Sequence, residues 1–326
     1  MALTAECASN PVSSPTARRD YARLDFQAMG TTCALMFEAP SYAEAAAFKR
    51  EVVAWVADFE LMFSRFKPGS LVSRINHAGT DWVDLPPEAE SLFALCDWFY
   101  WSTHGIFDPA IFPVLSLWDY HAPTPTVPTD EALVAALARC GWSRVERRKG
   151  QIRLTEPGMG LDVGGIGKEY AVDRVFEMAR KRGFHNLMVD FGHDLRLHGE
   201  PPEGGAWRVG LENPLHPGRC WGGVAVTDHA VTTSGDYARG FQAPGGRIMG
   251  HILDPRTGRP VANGCRSVSV IAQTCTEAGV LATAAFILGH EAGLSLLDGH
   301  YGAEGCIWHE NNVYESRRFH EYALHD

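Results

Sequence analysis

The sequence has no CxxC pair and no zinc-finger spacing among its 8 cysteines, which stand at positions 7, 33, 96, 140, 220, 265, 275 and 306. Closely paired cysteines mark structural zinc sites, and regular cysteine frameworks mark small disulfide-rich domains. Neither class is suggested here. Scattered cysteines of this kind indicate a reducing compartment.

Basic charge and long apolar runs are also scarce. The chain has 29 Lys and Arg against 39 Asp and Glu, a formal net charge of −10, and its basic run at 144–149 is short. Nucleic acid is therefore not expected as a partner, because a phosphate backbone requires clustered Lys and Arg. No stretch approaches the roughly 18 apolar residues of a membrane span. The first residues lack the apolar segment of a secretory signal, so we expect a cytoplasmic protein with a disordered tail at 1–20 and one domain at 21–326.

Helix and strand patterns alternate along a chain of ordinary globular composition, 45% apolar and 21% charged. Apolar residues recur every three or four positions over 42–66, which predicts an amphipathic helix. Pro68 and Gly69 should end it, and Ser70 should begin a second helix. A further helix is predicted at 87–103.

The later elements are predicted in the same way. Asp130 is predicted to cap a helix that runs to about Cys140. Short strands are expected at 159–163 and 186–199, and a helix rich in small residues at 276–293. On a single strand Asp190 and Asp194 would share one face while His193 faces the other, so metal binding by all three is not expected.

The segment HILDPRTGRPV, residues 251–261, concentrates reactive groups. Ile252 and Leu253 are typical of the end of a buried strand, and Asp-Pro followed by Thr-Gly predicts a turn. His251 and Asp254 would then lie at the mouth of a strand. A simpler interpretation is that Asp254 only bonds its own turn and His251 is a core histidine.

The segment GLDVGGIGKEYAVDRV, residues 160–175, predicts a strand, a glycine-rich turn and a helix over 169–181. Such a helix N-terminus is a ready anion site, because unpaired amides and the helix dipole point at one place. The segment is not a Walker loop, since Asp162 and Glu169 replace a glycine and a hydroxyl residue of that motif. It also lacks the GxGxxG spacing of a dinucleotide fold.

Eight segments in order resemble the FAD:protein FMN transferase family, the ApbE-type flavin transferases. They are AMGTT (28–32), FSRFKPGSLVSRIN (63–76), THGIFDP (103–109), LDVGGIGKEYAVDRV (161–175), VDFGHDL (189–195), TTSGDYARG (232–240), HILDPRTGRPV (251–261) and LATAAFILG (281–289). The resemblance runs from about Phe26 to the last strands. It implies an α+β fold with a sheet-and-helix core related to the T-fold.

The resemblance also implies a function: magnesium-dependent transfer of the FMN half of FAD to a Thr or Ser hydroxyl of an acceptor flavoprotein, with release of AMP. His251 matches the family's proposed base, and Asp254 would orient it or stabilise its charge. The FAD-binding residues implied are Met29, Asp108, Gly164, Gly165, Lys168, Thr233 and Ser234. The acceptor lies on another polypeptide and is expected to be cytoplasmic.

The implied metal site is incomplete in this sequence. The family takes a backbone carbonyl from the glycine-rich turn, here Gly167, and an Asp and a Thr four residues apart on the late helix. Thr283 is present, but Gly279 stands at the Asp position. We hypothesise that Glu169 or Glu277 supplies the missing charge. Alternatively, Glu169 only begins a helix, where a carboxylate is favoured in any case.

Two other functions stay open at this point. In the first, water replaces the acceptor hydroxyl, and the protein is a magnesium-dependent FAD pyrophosphatase that yields FMN and AMP. In the second, the protein binds FAD without chemistry, which the glycine at position 279 favours and the intact His251 and Asp254 oppose.

Overall fold

The structure is a computed structural model that describes residues 20–118, 126–236, 240–242 and 248–324. The predicted tail at 1–20 lies outside these residues except for Asp20. The helices are α1 (Tyr42–Phe63), α2 (Leu71–His77), α3 (Pro87–Ser102), α4 (Phe112–Leu115), α5 (Asp130–Leu137), α6 (Gly167–Lys181), α7 (Cys275–Leu288) and α8 (His290–Gly299). The strands are β1 (Tyr21–Ala28), β2 (Thr31–Glu38), β3 (Val83–Asp84), β4 (Val145–Arg148), β5 (Gln151–Leu154), β6 (Leu187–Phe191), β7 (Asp194–His198), β8 (Trp207–Glu212), β9 (Cys220–Val226), β10 (Ala230–Gly235), β11 (Gly240–Gln242), β12 (Ile248–Gly250), β13 (Leu253–Asp254), β14 (Arg259–Pro260), β15 (Cys265–Ala272), β16 (Glu304–His309) and β17 (Asn312–Glu315).

An eight-stranded sheet organises the chain, in the order β1-β2-β6-β7-β10-β15-β16-β17. Each neighbouring pair of strands is antiparallel. Alternate residues of a strand face opposite sides of the sheet. On β2, Cys33, Leu35 and Phe37 join the main core, while Met36 packs on the smaller core of the other face. Helices and strands therefore form the α+β architecture predicted from the sequence.

Helices cover one face of the sheet, and the β8–β9 hairpin covers the other. Helix α6 packs on β6, while α7 packs on β10, β15 and α6. Most of α7 is buried, because its small residues let the neighbouring backbones approach closely. On the opposite face, Trp207 and Leu211 of β8 pack with Val224 and Val226 of β9. Both helices of the α6–α7 junction, where α6 packs on α7, therefore also pack on the sheet.

Several local predictions are confirmed. Helix α1 occupies the predicted stretch and buries Phe48, Val52, Val56 and Phe59. Helix α2 begins after Ser70, whose hydroxyl accepts the amide of Ser73 at 3.0 Å. Such a cap satisfies one of the free amides at a helix start.

Four local predictions are wrong. Thr129 rather than Asp130 caps α5, with its hydroxyl accepting the amide of Ala132. Residues 159–163 form no strand. The stretch 186–199 is a hairpin of β6 and β7, which turns at Gly192 (φ 63°) and His193 (φ 71°). The assignment of Asp190 and Asp194 to one face of a single strand therefore does not apply.

The fourth error concerns the late helix, which is shorter than predicted. Helix α7 ends at Leu288, and α8 begins at His290. Gly289 lies between them at φ 85°, in the left-handed region that favours glycine. The predicted single helix is therefore two.

Within the described part of the chain, none of the helices combines the length and the apolar character that crossing a bilayer requires.

Candidate active site

The segment around Asp254 forms a short hairpin. Strand β13 pairs with β14, and the Asp254 carbonyl accepts the amide of Gly258 at 2.8 Å. The Asp254 carboxylate accepts the amide of Arg256 at 2.9 Å and pairs with its guanidinium group. Trp118 Nε1 donates to the Gly258 carbonyl at 2.8 Å, which fixes the turn against the core. The Asp254 side chain thus contacts its own turn, and its action on His251 stays a prediction.

A second carboxylate, that of Asp236, lies beside the predicted base. A Cβ built on Gly250 would lie 3.2 Å from Asp236 Cβ, so the backbone next to His251 reaches Asp236 closely. Asp236 Oδ1 is buried and has no hydrogen-bond partner among the described residues. Burial raises the pKa of Asp236, while the charges of Arg266 and His251 lower it. Asp236 was not predicted as a site residue from the sequence. Its position directly after the hydroxyl-rich end of β10 could have indicated it.

The glycine-rich turn before α6 already uses several of its own amides. Asp162 Oδ1 accepts the Gly164 amide at 2.8 Å. The Val163 carbonyl accepts the amides of Ile166 at 3.2 Å and Gly167 at 2.7 Å. Since these three amides already have acceptors, we expect cations to contribute more than these amides to the binding of a pyrophosphate.

Lys168, in the first turn of α6, lies among carboxylates. Its Nζ forms an ion pair with Asp194 and lies 3.7 Å from Glu169 Oε1. Asp194 begins β7, and nearby Asp190 accepts the amide of His193 at 2.8 Å. A phosphate that binds Lys168 must therefore compete with Asp194.

Two hydroxyls on β10 connect the predicted FAD and metal groups. Thr233 Oγ1 lies 2.8 Å from Ser269 Oγ on β15. Ser234 Oγ lies 2.9 Å from Thr283 Oγ1 on α7. The structure thus brings Ser234, predicted for FAD, against Thr283, predicted for the metal. Asp236 follows two residues later, so the same strand end reaches the surroundings of His251.

Met29 lies in the tight turn between β1 and β2. It has φ 50°, and its amide donates to Glu60 Oε2 at 2.9 Å. A non-glycine residue at positive φ is held there by its surroundings, and such residues concentrate at functional sites. Its side chain packs partly on the main core.

Asp108 is half-buried and lies on the segment that contacts the glycine-rich turn. Its Oδ1 accepts the amides of Ala110 at 2.8 Å and Trp142 at 3.0 Å. Burial raises the pKa of Asp108 to about 6, although these hydrogen bonds oppose the shift. The Pro109 carbonyl accepts the amide of Asp162 at 2.8 Å, which joins this segment to the turn.

Asp108→Asn should remove a pH dependence of stability. A carboxyl whose pKa is raised by folding binds its proton more tightly in the folded state, so the wild-type chain loses stability as the pH rises through about 4 to about 6. That shift corresponds to roughly 2–3 kcal/mol. Asn keeps an acceptor for both amides but does not ionise.

Urea unfolding of the wild type and the Asn variant, at about pH 4 and about pH 7, measures this difference. The variant should gain stability relative to the wild type at the higher pH. If the two proteins differed in free energy of unfolding by the same amount at both pH values, the pKa of Asp108 would not be raised by folding.

Comparison with known proteins identifies the family. The ApbE family model matches residues 29–307. The FAD:protein FMN transferases of Vibrio cholerae serotype O1 and Treponema pallidum are 30% and 31% identical to this chain, covering 83% and 86% of it and 82% of each relative. The solved flavin transferase ApbE from Vibrio cholerae has a TM-score of 0.83 at 26% identity and covers 93% of this chain and 99% of its own. The ApbE protein from Thermotoga maritima has a TM-score of 0.86 at 28% identity and covers 94% of this chain and 100% of its own. The chain therefore belongs to the ApbE family.

Proposed function

We propose that this protein transfers the FMN moiety of FAD to a Thr or Ser hydroxyl of an acceptor flavoprotein and releases AMP, with Mg²⁺ required. Family membership supports this, since the compared relatives are named FAD:protein FMN transferases. One observation carries the proposal. At the end of β10, Ser234 contacts Thr283 while Asp236, two residues later, lies beside His251. The proposed base and two hydroxyls near the proposed cation site therefore lie around the end of β10, which supports the proposal.

The reaction forms a bond between the acceptor oxygen and the FMN phosphorus and breaks the pyrophosphate bond to AMP. An alcohol is a weak nucleophile at neutral pH, so a positioned base must take its proton. We assign this role to His251, because an imidazole is largely unprotonated at neutral pH. Asp254 and Asp236 are the two carboxylates proposed to support it.

The FAD-binding residues remain those predicted from the sequence. The convergence of their segments supports them: a Cβ on Gly165 would lie 4.0 Å from the Phe107 ring, and the Asp162 amide bonds the carbonyl of Pro109. We therefore propose that the segment carrying Asp108 and the turn carrying Gly164, Gly165 and Lys168 contact FAD. The residues proposed in addition are Met29, Thr233 and Ser234.

Hard oxygen donors fit Mg²⁺. We propose that Thr283 Oγ1 and the Gly167 carbonyl hold the ion. When bound, Mg²⁺ would offset the charge of the pyrophosphate. In the described ranges, no group of three or more His, Cys, Asp or Glu side chains could hold a metal ion. The ion would therefore have few protein ligands and several waters, an arrangement that Mg²⁺ accepts.

The test combines the purified protein, FAD, Mg²⁺ and candidate acceptor domains, followed by intact mass of the acceptor and quantification of AMP. We expect one added FMN per acceptor and an equal amount of AMP. An acceptor with Ala at its Thr or Ser is the control. AMP and free FMN without an adduct would indicate a pyrophosphatase, and bound FAD without AMP would indicate a binding protein; either result contradicts the proposal.

A further inference from the structure

Gly279 on α7 is covered by a carboxylate from another helix. A Cβ built on Gly279 would lie 2.5 Å from Glu169 Cγ and 3.1 Å from its Cδ. Real Cβ atoms do not approach other carbons so closely, and Glu169 is buried with little room to move. The absence of a side chain at position 279 is therefore what allows Glu169 to lie across α7.

The protein satisfies the Glu169 carboxylate only in part, through an ion pair of its Oε1 with Lys168. The residue is only 9% exposed. Its Oε2 is buried without a hydrogen-bond partner within the described residues, and its Oε1 lies 3.7 Å from Lys168 Nζ, too far for a hydrogen bond. A buried carboxylate oxygen without a donor is unfavourable unless a cation completes it. This oxygen points to a ligand that the side chains do not supply.

The two residues proposed to hold the metal, Gly167 and Thr283, lie on the same two helices as Glu169 and Gly279. Gly279 and Thr283 are four residues apart on α7, so they lie on one face of the helix. Thr283 Oγ1 contacts Ser234 Oγ at 2.9 Å. Gly167 belongs to the same first turn of α6 as Glu169. The three residues that carry these oxygens, Glu169, Thr283 and Gly167, thus belong to two helices that pack on each other.

Glu277, the other acidic residue considered, is directed elsewhere. It lies two residues from Gly279, so its side chain leaves α7 on a different side. His300, which follows α8, is the charged group that most lowers the pKa of Glu277, against the effect of burial. Glu277 therefore lies near the end of α8 and near Asp173 of α6. Glu169, by contrast, is the carboxylate that lies against Gly279.

We propose that Glu169 on α6 is the carboxylate ligand of the divalent cation, in place of the Asp that the resemblance implies at position 279 on α7. Glu169 fills the space that a side chain at position 279 would need, so it can supply the carboxylate from the other helix. This inference rests on the magnesium dependence of the proposed function. It is tested by ion binding itself, with no acceptor present.

Mn²⁺ binding to the purified full-length protein, followed by electron paramagnetic resonance with and without FAD, is the direct measurement. Glu169→Gln should weaken Mn²⁺ binding about tenfold or more, because it removes the anionic ligand. The double variant Glu169→Gly with Gly279→Asp should return the affinity to within about fivefold of the wild type. Glu277→Gln is the matched control and should bind as the wild type does.

Thermal unfolding separates a ligand from a residue that only begins a helix. In the wild type Mg²⁺ should raise Tm, because it binds only the folded chain. In Glu169→Gln this rise should be lost, while Tm without metal should stay the same or increase, since the variant removes a buried negative charge that has only one long ion pair. A purely structural Glu169 would give the opposite pattern, with a lower metal-free Tm and an unchanged rise with Mg²⁺.

Three results would overturn the assignment. They are wild-type Mn²⁺ affinity in Glu169→Gln, loss of Mn²⁺ binding in Glu277→Gln, and a wild-type protein that binds no Mn²⁺ with or without FAD. A wild-type protein that binds Mn²⁺ through Glu169 but transfers no FMN would instead contradict the proposed function. The assignment of Glu169 as a ligand would then still hold.

Discussion

Replacing His251 with Ala should lower the rate of FMN transfer by about 10²–10⁴-fold, the usual contribution of a positioned base. The acceptor hydroxyl would then lose its proton only to water. FAD affinity should change little, because the imidazole is proposed to act on the acceptor oxygen rather than on the dinucleotide. Initial rates from acceptor mass, with FAD binding measured by fluorescence, separate the two effects. Near-normal labelling by the variant would show that His251 is not the base.

The two carboxylates near His251 should respond differently. Asp254 bonds the Arg256 amide and guanidinium, so Asp254→Asn should loosen the hairpin. Asp236 interacts electrostatically with His251. Because that interaction is mutual, Asp236→Asn should disfavour protonated His251 and move the acidic limb of the rate profile to lower pH. An unmoved limb in Asp236→Asn, with a moved one in Asp254→Asn, would assign the supporting role to Asp254.

Local features of the fold were predictable because their causes are local. The three- and four-residue spacing of Phe48, Val52 and Phe59 specifies one buried helix face, and α1 follows it. Ser70 after Pro68 and Gly69 is a helix start in its own right. By contrast, the 186–199 stretch has strand-like apolar residues on both sides of Gly192. Its chain reversal depends on backbone angles at Gly192 and His193 that the apolar pattern does not reveal.

The candidate site divides in the same way. His251 and Lys168 lie in segments whose residues indicate a site by themselves, whereas Thr283 was selected through the family resemblance. The contact of Glu169 with Gly279 joins two helices that are far apart in the sequence. The approach of Asp236 to Gly250 joins the end of β10 to the end of β12. Such contacts depend on how α6 packs on α7 and how β10 ends, and no local pattern specifies them.

Asp173→Ala should lower the free energy of unfolding by about 3–5 kcal/mol, the cost of leaving a buried ion pair without one partner. Asp173 on α6 is buried, and its carboxylate accepts the amides of Cys275 and Thr276 at 2.9 Å each, at the start of α7. It also pairs with Arg196 Nη1 at 2.8 Å. Removing it leaves two helix-terminal amides without their acceptor and leaves Arg196 with only the more exposed Glu177, so urea unfolding should show a large loss.

Glu177→Ala is the matched control, because Glu177 pairs with the same Arg196 at 3.5 Å but its side chain is 44% exposed. A pair of that kind contributes about 1 kcal/mol or less. Asp173→Asn should fall between the two variants, since it keeps an acceptor but not the charge. Equal effects of Asp173→Ala and Glu177→Ala would mean that the α6–α7 junction does not depend on this carboxylate. A large effect confined to Asp173, accompanied by weaker Mn²⁺ binding, would show that the same contact that stabilises the fold also holds Glu169 and Thr283 in register.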